Sequence, residues 1–251
     1  MTRILLTNDD GIFSNGLKQL EEALKSVGDV FVVAPLSEMS GASHSLTLSR
    51  PLRIRQFDER HWAVDGTPTD CVSIALNKIL PPELRPDICC SGINYGGNLG
   101  DDASYSGTVA GALEATILGV SGLAFSLVTT ENFDFTHSAR FANEVVRKVL
   151  AEGLPEGILL NINVPPGEIR GVRVTKQGVK NARPVIHEQI DPRGKPYYWI
   201  SEERLGYHPG ENTDFEAVEE GLASITPMRS DMTDHSVLAK LSDWNDFSSK
   251  F

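Results

Sequence analysis

The chain has 251 residues, 23 Lys plus Arg against 34 Asp plus Glu, and a formal net charge of −11. That length suits one large α/β core, since single cores reach ~200–250 residues, and 40% hydrophobic with 23% charged residues argues against a disordered or fibrous chain. The acid excess counts against a surface for nucleic-acid duplexes, which needs clustered Lys and Arg to neutralise phosphates.

Ile4-Leu5-Leu6 reads as a buried strand, and Leu17, Leu20 and Leu24 mark one face of the helix that follows Asn15-Gly16. Val30 to Ala34 is a second strand closed by Pro35. Leu46-Thr47-Leu48, Leu52-Arg53-Ile54 and Trp62-Ala63-Val64 read as short strands around Pro51. Helical period returns in Val72, Leu76 and Ile79 after Gly66-Thr67-Pro68-Thr69-Asp70. Asp87 to Cys90 is the next strand, Val109 to Leu118 a small-residue helix, Leu123 to Val128 a strand, Phe141 to Leu150 a helix, and Leu159 to Val164 the last strand of the series. This alternation predicts a Rossmann-like, doubly wound, mostly parallel sheet in three α/β/α layers over residues 1–165.

After Pro165-Pro166 the texture changes. Residues 167–213 carry scattered Pro and Gly with Tyr197-Tyr198-Trp199-Ile200, which predicts an extended hairpin whose aromatics need a partner. Phe215 to Glu220 reads as a short helix with Glu216, Glu219 and Glu220 on a solvated face, Ser224 to Pro227 as a returning strand, and about 236–246 as a weak terminal helix. Residues 166–251 thus form an appendage to the core within one structural unit. Asp231 and His235 have the spacing of a helix-capping contact. Cys71, Cys89 and Cys90 fall in apolar runs and form no disulfide framework. No apolar run approaches the ~20 residues that cross a bilayer, and Met1 to Asp10 turns acidic too early for a signal peptide, so a cytoplasmic protein is expected.

Ligands of a doubly wound sheet bind beyond the carboxyl ends of its strands, and here those ends are polar: Asn8-Asp9-Asp10-Gly11, Ser37 to Ser45, and Ser91 to Asp102. Adjacent carboxylates such as Asp9 and Asp10 repel each other unless one is protonated or a cation neutralises them, and hard divalent cations prefer oxygen. Ser40, Asn94 and Asn98 are further oxygen or amide donors, and the glycines of the 92–100 loop let backbone approach a ligand. Ser106-Gly107-Thr108 falls where a helix begins, so its hydroxyls and free N–H groups suit an anion such as phosphate. A helix-capping role accounts for the same residues equally well. His44 is a candidate substrate contact, although a lone loop histidine more often bonds locally. Asn8 is placed behind the carboxylates, as an orienting residue or a turn residue.

Three stretches together resemble the SurE family of survival-protein 5'-nucleotidases. They are Ile4 to Gly11, Ser91-Gly92-Ile93-Asn94 with Asn98-Leu99-Gly100, and Tyr105-Ser106-Gly107-Thr108-Val109-Ala110-Gly111-Ala112-Leu113-Glu114. Val32 to Pro35, Ser40-Gly41, His44 to Thr47, Gly66 to Val72, Leu160 to Pro165 and Ser224 to Pro227 extend the resemblance over nearly the whole chain. It implies a metal-dependent phosphatase that hydrolyses nucleoside 5'-monophosphates, with 3'-nucleotides and short polyphosphate as further substrates. It also implies one divalent cation per subunit (Mg²⁺, Mn²⁺ or Co²⁺) on Asp9, Asp10, Ser40 and Asn94, and a homodimer or homotetramer built through the hairpin and C-terminal segment. Phosphate contacts fall on Asn8, Asn98, Ser106, Gly107 and Thr108. The attacking group is water activated by Asp9 or Asp10, with direct attack by an aspartate as the open alternative. The chain departs from the family at Tyr95, where many members have a basic residue, and at Ala42-Ser43, which replaces a glycine near His44. A nucleotide-binding regulator without turnover explains the loops but not the paired carboxylates; a scaffold explains only the hairpin.

Overall fold

Runs such as Phe31-Val32-Val33-Ala34 fit one strand only if helices cover both sheet faces, because successive side chains point to opposite sides. The computed structural model, which describes residues 2–129, 131, 133–242 and 244, has that arrangement. In chain order its strands are β1 (Arg3–Thr7), β2 (Asp29–Pro35), β3 (Ile54–Gln56), β4 (His61–Val64), β5 (Ile88–Tyr95), β6 (Ser121–Leu127), β7 (Ile158–Val164), β8 (Val172–Val174), β9 (Lys180–Ile190), β10 (Pro196–Tyr207) and β11 (Ala223–Arg229). The helices are α1 (Asn15–Leu24), α2 (Pro68–Ile74), α3 (Asp102–Tyr105), α4 (Gly107–Ile117), α5 (Thr136–Glu152), α6 (Asp214–Glu219) and α7 (His235–Leu238). One sheet runs β3-β4-β2-β1-β5-β6-β7-β11-β8, parallel from β4 to β7. β3 and β11 pair antiparallel to β4 and β7.

The mostly parallel α/β architecture read from the sequence is therefore the observed one. Leu17, Leu20 and Leu24 of α1 pack with Phe141, Ala142, Val145 and Val146 of α5 in one core layer. On the other face Val72 of α2 and Ala115 of α4 pack against Leu5, Val33 and Cys89, so the cysteines serve as small buried side chains. Capping starts the helices where the sequence turns polar: the Ser14 hydroxyl accepts the Leu17 N–H, and Thr67 and Asp70 form a reciprocal box at α2.

The chain winds outward from β1 through β2 to β4 and then returns to β5 on the other side of β1. The strand order thus reverses between β1 and β5, and the loops that follow these two strands meet at that switch point.

Two expectations change. Leu46-Thr47-Leu48 forms no strand, because the Thr47 N–H and hydroxyl both go to the Asp70 carboxylate (2.9 and 2.6 Å) instead of to a neighbouring strand. The pairing expected at Leu52-Arg53-Ile54 begins only at Ile54. The terminal helix falls where it is expected, α-helical over His235–Leu238 and continuing in 3-10 turns over 239–242 and at 244, while Asp243, Asn245 and Asp246 lie outside the described residues. Residues beyond 165 also contribute to the main sheet, through β11 and β8. The β9–β10 hairpin is a separate two-stranded ribbon whose Ile186, Tyr198, Trp199 and Ile200 are exposed.

Candidate active site

β1 is buried up to its last residue, so the chain leaves the sheet at Asn8 with polar groups still inside the protein. Asn8 is fully buried, and its amide nitrogen donates to the Gly11 carbonyl (3.0 Å) and the Ser14 hydroxyl (2.7 Å). One side chain thereby fixes the turn that carries both aspartates and the residue that caps α1. This is a supporting position behind the carboxylates.

Asp9 points at the start of α4. The Thr108 hydroxyl donates to its Oδ1 (2.5 Å), and the backbone N–H groups of Gly107 and Thr108 face the same carboxylate. The approach depends on Gly107, because a Cβ there would lie 2.8 Å from the Asp9 Cβ and 3.0 Å from its Oδ2. Burial pushes the Asp9 carboxyl above its ordinary value, and the Thr108 hydroxyl and the helix N–H groups pull it back. The anion expected at this helix N-terminus is thus supplied in part by the protein itself. The Thr108 proton, expected on a phosphate, is held by Asp9.

Asp10 is half-buried. Burial, then the Asp9 charge and more weakly Glu38, push its carboxyl up to about 7 against the pull of the Tyr95 backbone N–H. Its Oδ2 is buried without a hydrogen-bond partner among the described residues. A buried carboxylate oxygen with no donor is costly unless a proton or a cation meets it.

The Tyr95 N–H places the end of β5 beside Asp10. Asn94 precedes it, with its amide nitrogen donating to the Gly96 carbonyl (2.9 Å), which turns the amide oxygen to the other side. The Tyr95 hydroxyl accepts the Asn15 N–H (3.1 Å), and its ring packs edge-on to Phe133 and Phe135. On the β2 side the Met39 N–H donates to the Asp9 carbonyl (2.7 Å) and the exposed Ser40 hydroxyl donates to Glu38 Oε1 (2.9 Å). The segments bearing Asp9, Asp10, Ser40 and Asn94 therefore converge at the switch point.

Among the described residues no three His, Cys, Asp or Glu side chains gather as a metal site. Two carboxylates with neutral serine and asparagine oxygens are nonetheless a donor set for a hard cation that keeps part of its water shell. The orphaned Asp10 Oδ2 and the mutual repulsion that raises Asp10 fit such an ion.

Other expected contacts lie farther into the framework. One amide hydrogen of Asn98 goes to the Ser126 hydroxyl (2.7 Å), its backbone N–H goes to Asn163 Oδ1 (2.7 Å), and its carbonyl accepts from the amides of Asn161 and Asn163 (2.8 and 3.1 Å). The Ser106 hydroxyl accepts the Val109 N–H as the α4 cap. His44 Nε2 lies 2.8 Å from Glu114 Oε2 on buried α4, so His44 clasps the 37–48 strap to that helix. Ser43 adds to the clasp, through its N–H on the Tyr105 carbonyl and its hydroxyl on the Ser104 carbonyl. Glu114, Asn161 and Asn163 stand in the family-like stretches without a role read for them, and Asp214 was missed altogether; the local signals are the charge in the small-residue stretch at Glu114 and the two asparagines in the apolar run of β7. A cavity of about 260 Å³ lined by Val145, Leu154, Leu160, Val174 and Pro227 lies away from this cluster. Its polar members, Lys148 and Glu152, already pair with each other.

The fold and these contacts define a Rossmann-like α/β protein with a buried acidic pair at its switch point, the arrangement of a small-ligand enzyme and not of a polyanion-binding module. The family described as "Survival protein SurE" matches residues 4–184. A relative from Aquifex aeolicus, named 5'-nucleotidase SurE, is 47% identical over 245 residues, covering 96% of this chain and 97% of that one. One of the same name from Myxococcus xanthus is 48% identical over 96% of this chain and 93% of its own length. A crystal structure of the SurE protein from Aquifex aeolicus superposes with a TM-score of 0.86 at 46% identity, over 97% of this chain and 100% of that chain. The chain belongs to the SurE family.

Proposed function

We propose that the chain is a divalent-metal-dependent phosphoric monoester hydrolase that converts nucleoside 5'-monophosphates to nucleoside and phosphate. The observation that carries this reading is the Asp9–Asp10 pair at the β1–β5 switch point, Asp9 buried and Asp10 half-buried, with Asp10 raised to about 7 and its Oδ2 unpartnered among the described residues. The printed names of the relatives, 5'-nucleotidase SurE, support the substrate class. We extend the same chemistry to 3'-nucleotides and short polyphosphate, which present the same terminal phosphoryl group. The absence of a helix long and apolar enough to cross a membrane, among the described residues, is compatible with a cytoplasmic setting.

Asp9, Asp10, Ser40 and Asn94 would hold one Mg²⁺, Mn²⁺ or Co²⁺ per subunit. Such an ion screens the phosphate dianion and stabilises the charge that spreads over the transferring group. The chain's residues do the rest. Thr108 and the α4 N–H groups hold Asp9 in one orientation, and Asn8 holds the turn beneath it. Asn98 and Ser106 would brace, from behind, the loop and the α4 start that with Gly107 face the phosphate oxygens, and the His44–Glu114 clasp fixes the strap that bears Ser40. Water attacks phosphorus in line as the P–O bond to ribose breaks; a carboxylate oxygen of the Asp9–Asp10 pair takes the water's proton, and that proton is returned through solvent to the leaving ribose oxygen, giving the nucleoside hydroxyl and hydrogen phosphate.

The exposed hairpin aromatics Tyr197, Tyr198 and Trp199, with the C-terminal segment, would join subunits into a homodimer or homotetramer. The function is tested by phosphate release from AMP and from p-nitrophenyl phosphate with Mn²⁺ or Mg²⁺. We expect turnover that EDTA removes; turnover that survives EDTA rejects the metal mechanism, and AMP binding without turnover makes the chain a nucleotide-binding regulator.

A further inference from the structure

The loop that carries Asn98 is anchored far from the strand it leaves. Gly100 adopts φ +50°, and a Cβ there would lie 2.7 Å from both the Gly178 carbonyl oxygen and the Phe215 ring, so this loop is pressed against residues far along the chain. The Asp214 carboxylate fills the joint. Its Oδ2 accepts the Gly100 N–H (2.8 Å), and its Oδ1 accepts the N–H of Gly178 (2.8 Å) and of Phe215 (3.0 Å). Asp214 is fully buried, which pushes its carboxyl up, and the three N–H groups pull it down. Gln177 adds a second tether, its amide nitrogen donating to the Gly100 carbonyl (3.0 Å).

The same joint is the root of the hairpin. Lys180, the first residue of β9, places its ammonium between Asp102 (2.7 Å), at the start of α3, and Glu202 of β10. Tyr207, the last residue of β10, stacks on Phe215 with ring centroids 5.0 Å apart and an interplanar angle of 7°, and its hydroxyl donates to Glu219. Glu216 and Glu220, on the solvated face of α6, pair with Arg173. All of α6 is therefore a bracket between the hairpin and the loop. Asp214 also lies beyond residues 4–184, the span that matches the family.

Resting on the phosphatase reading above, we propose that Asp214 is a positioning residue for substrate phosphate: it fixes the Asn98–Asp102 loop and ties that loop to the hairpin root. A purely structural salt-bridge or core role would lower the fraction of active protein and leave the affinity for phosphate alone. A positioning role changes affinity in folded protein, because each tether that is lost lets the loop sample other conformations.

The test compares wild type, Asp214→Asn and Gln177→Ala as full-length proteins. Asparagine keeps one acceptor but turns an NH₂ toward a backbone N–H. For Asp214→Asn the KM for AMP with Mn²⁺ and the inhibition constant for inorganic phosphate should both rise about tenfold or more, with kcat changed less; for Gln177→Ala the rise should be about threefold. Hydrogen exchange on the metal-free proteins should quicken at 98–102 while β1 and β6 stay protected. Unchanged KM and unchanged exchange at 98–102 in Asp214→Asn would overturn the proposal. If that variant melts as a whole, Gln177→Ala decides, and an unchanged phosphate inhibition constant there overturns it equally. A wild type that hydrolyses no phosphate ester rejects the phosphatase reading and this role with it, even where exchange shows the tether to be real.

Discussion

The strand-end cluster and the β9–β10 hairpin are made of opposite materials. At the cluster, polar groups are buried and held by backbone: Asn8 is fully buried, Asp9 is 4% exposed, and Thr108 is fully buried. At the hairpin, large apolar groups are exposed, with Trp199 at 66% and Ile200 at 79%. Each breaks the ordinary rule of burial in its own direction, and each breach points outward to something the chain alone does not supply. The buried carboxylates ask for positive charge; the exposed aromatics ask for apolar surface. Rigid surroundings suit the first because a reacting phosphate must be met by fixed groups. A long two-stranded ribbon suits the second because it reaches away from the core.

The contrast is broken most severely at Asp9. Replacing it with Asn should lower metal-dependent phosphate release at least about 10³-fold, since charge stabilisation at the phosphoryl group is worth several kcal/mol, while the far-UV circular dichroism stays that of wild type. Retained activity would mean that the acidic pair is not the centre. Gly107→Ala should come next, with a loss of about 10–100-fold in kcat/KM, because the added Cβ would lie 2.8 Å from that of Asp9 and displace the carboxylate from the α4 N-terminus. At the other region, Trp199→Glu with Ile200→Glu should shift sedimentation toward single subunits and leave AMP turnover within about threefold, the size of a small change in packing far from the site. Unaltered sedimentation would remove the hairpin from assembly.

The smallest effect sharpens the electrostatic side. Asp10 has a folded-state value of about 7 against 3.8 for the ordinary carboxyl, so its contribution to stability is fully present below 3.8 and is lost as pH rises through about 7. Metal-free Asp10→Asn should therefore melt a few degrees above metal-free wild type at pH 8, at about 2–4 °C per kcal/mol for a chain of this size. The gap should close near pH 4. Equal melting temperatures at pH 8 would show that the pair is not strained.

Much of this was legible in the sequence because it is local. Leu17, Leu20 and Leu24 recur at helical spacing and do face the core, and the strand runs at Ile4, Val30, Leu123 and Leu159 are buried as runs of their kind must be in a parallel sheet. The polar strand ends were legible by the same route, since the switch-point rule says where to look. Long-range contacts to backbone were not. Thr47 has a strand-like neighbourhood, yet its partner is Asp70, 23 positions away, so the segment is a strap. Asp214 stands just before the short helix read at Phe215 to Glu220, and nothing nearby in the sequence announces that its acceptors serve Gly100 and Gly178. Asn161 and Asn163 sit in an apolar run as polar exceptions, yet nothing local names the Asn98 carbonyl as their partner.

The most direct measurement is a calorimetric titration of Mn²⁺ into chelator-stripped protein, with phosphate release from AMP followed on the same samples. Binding should saturate at one ion per chain, and turnover should rise in proportion to occupancy and be absent from the stripped protein. Full turnover of AMP by the stripped protein, or saturation that leaves AMP intact, would contradict the assignment of Asp9 and Asp10 to a metal-dependent phosphatase centre.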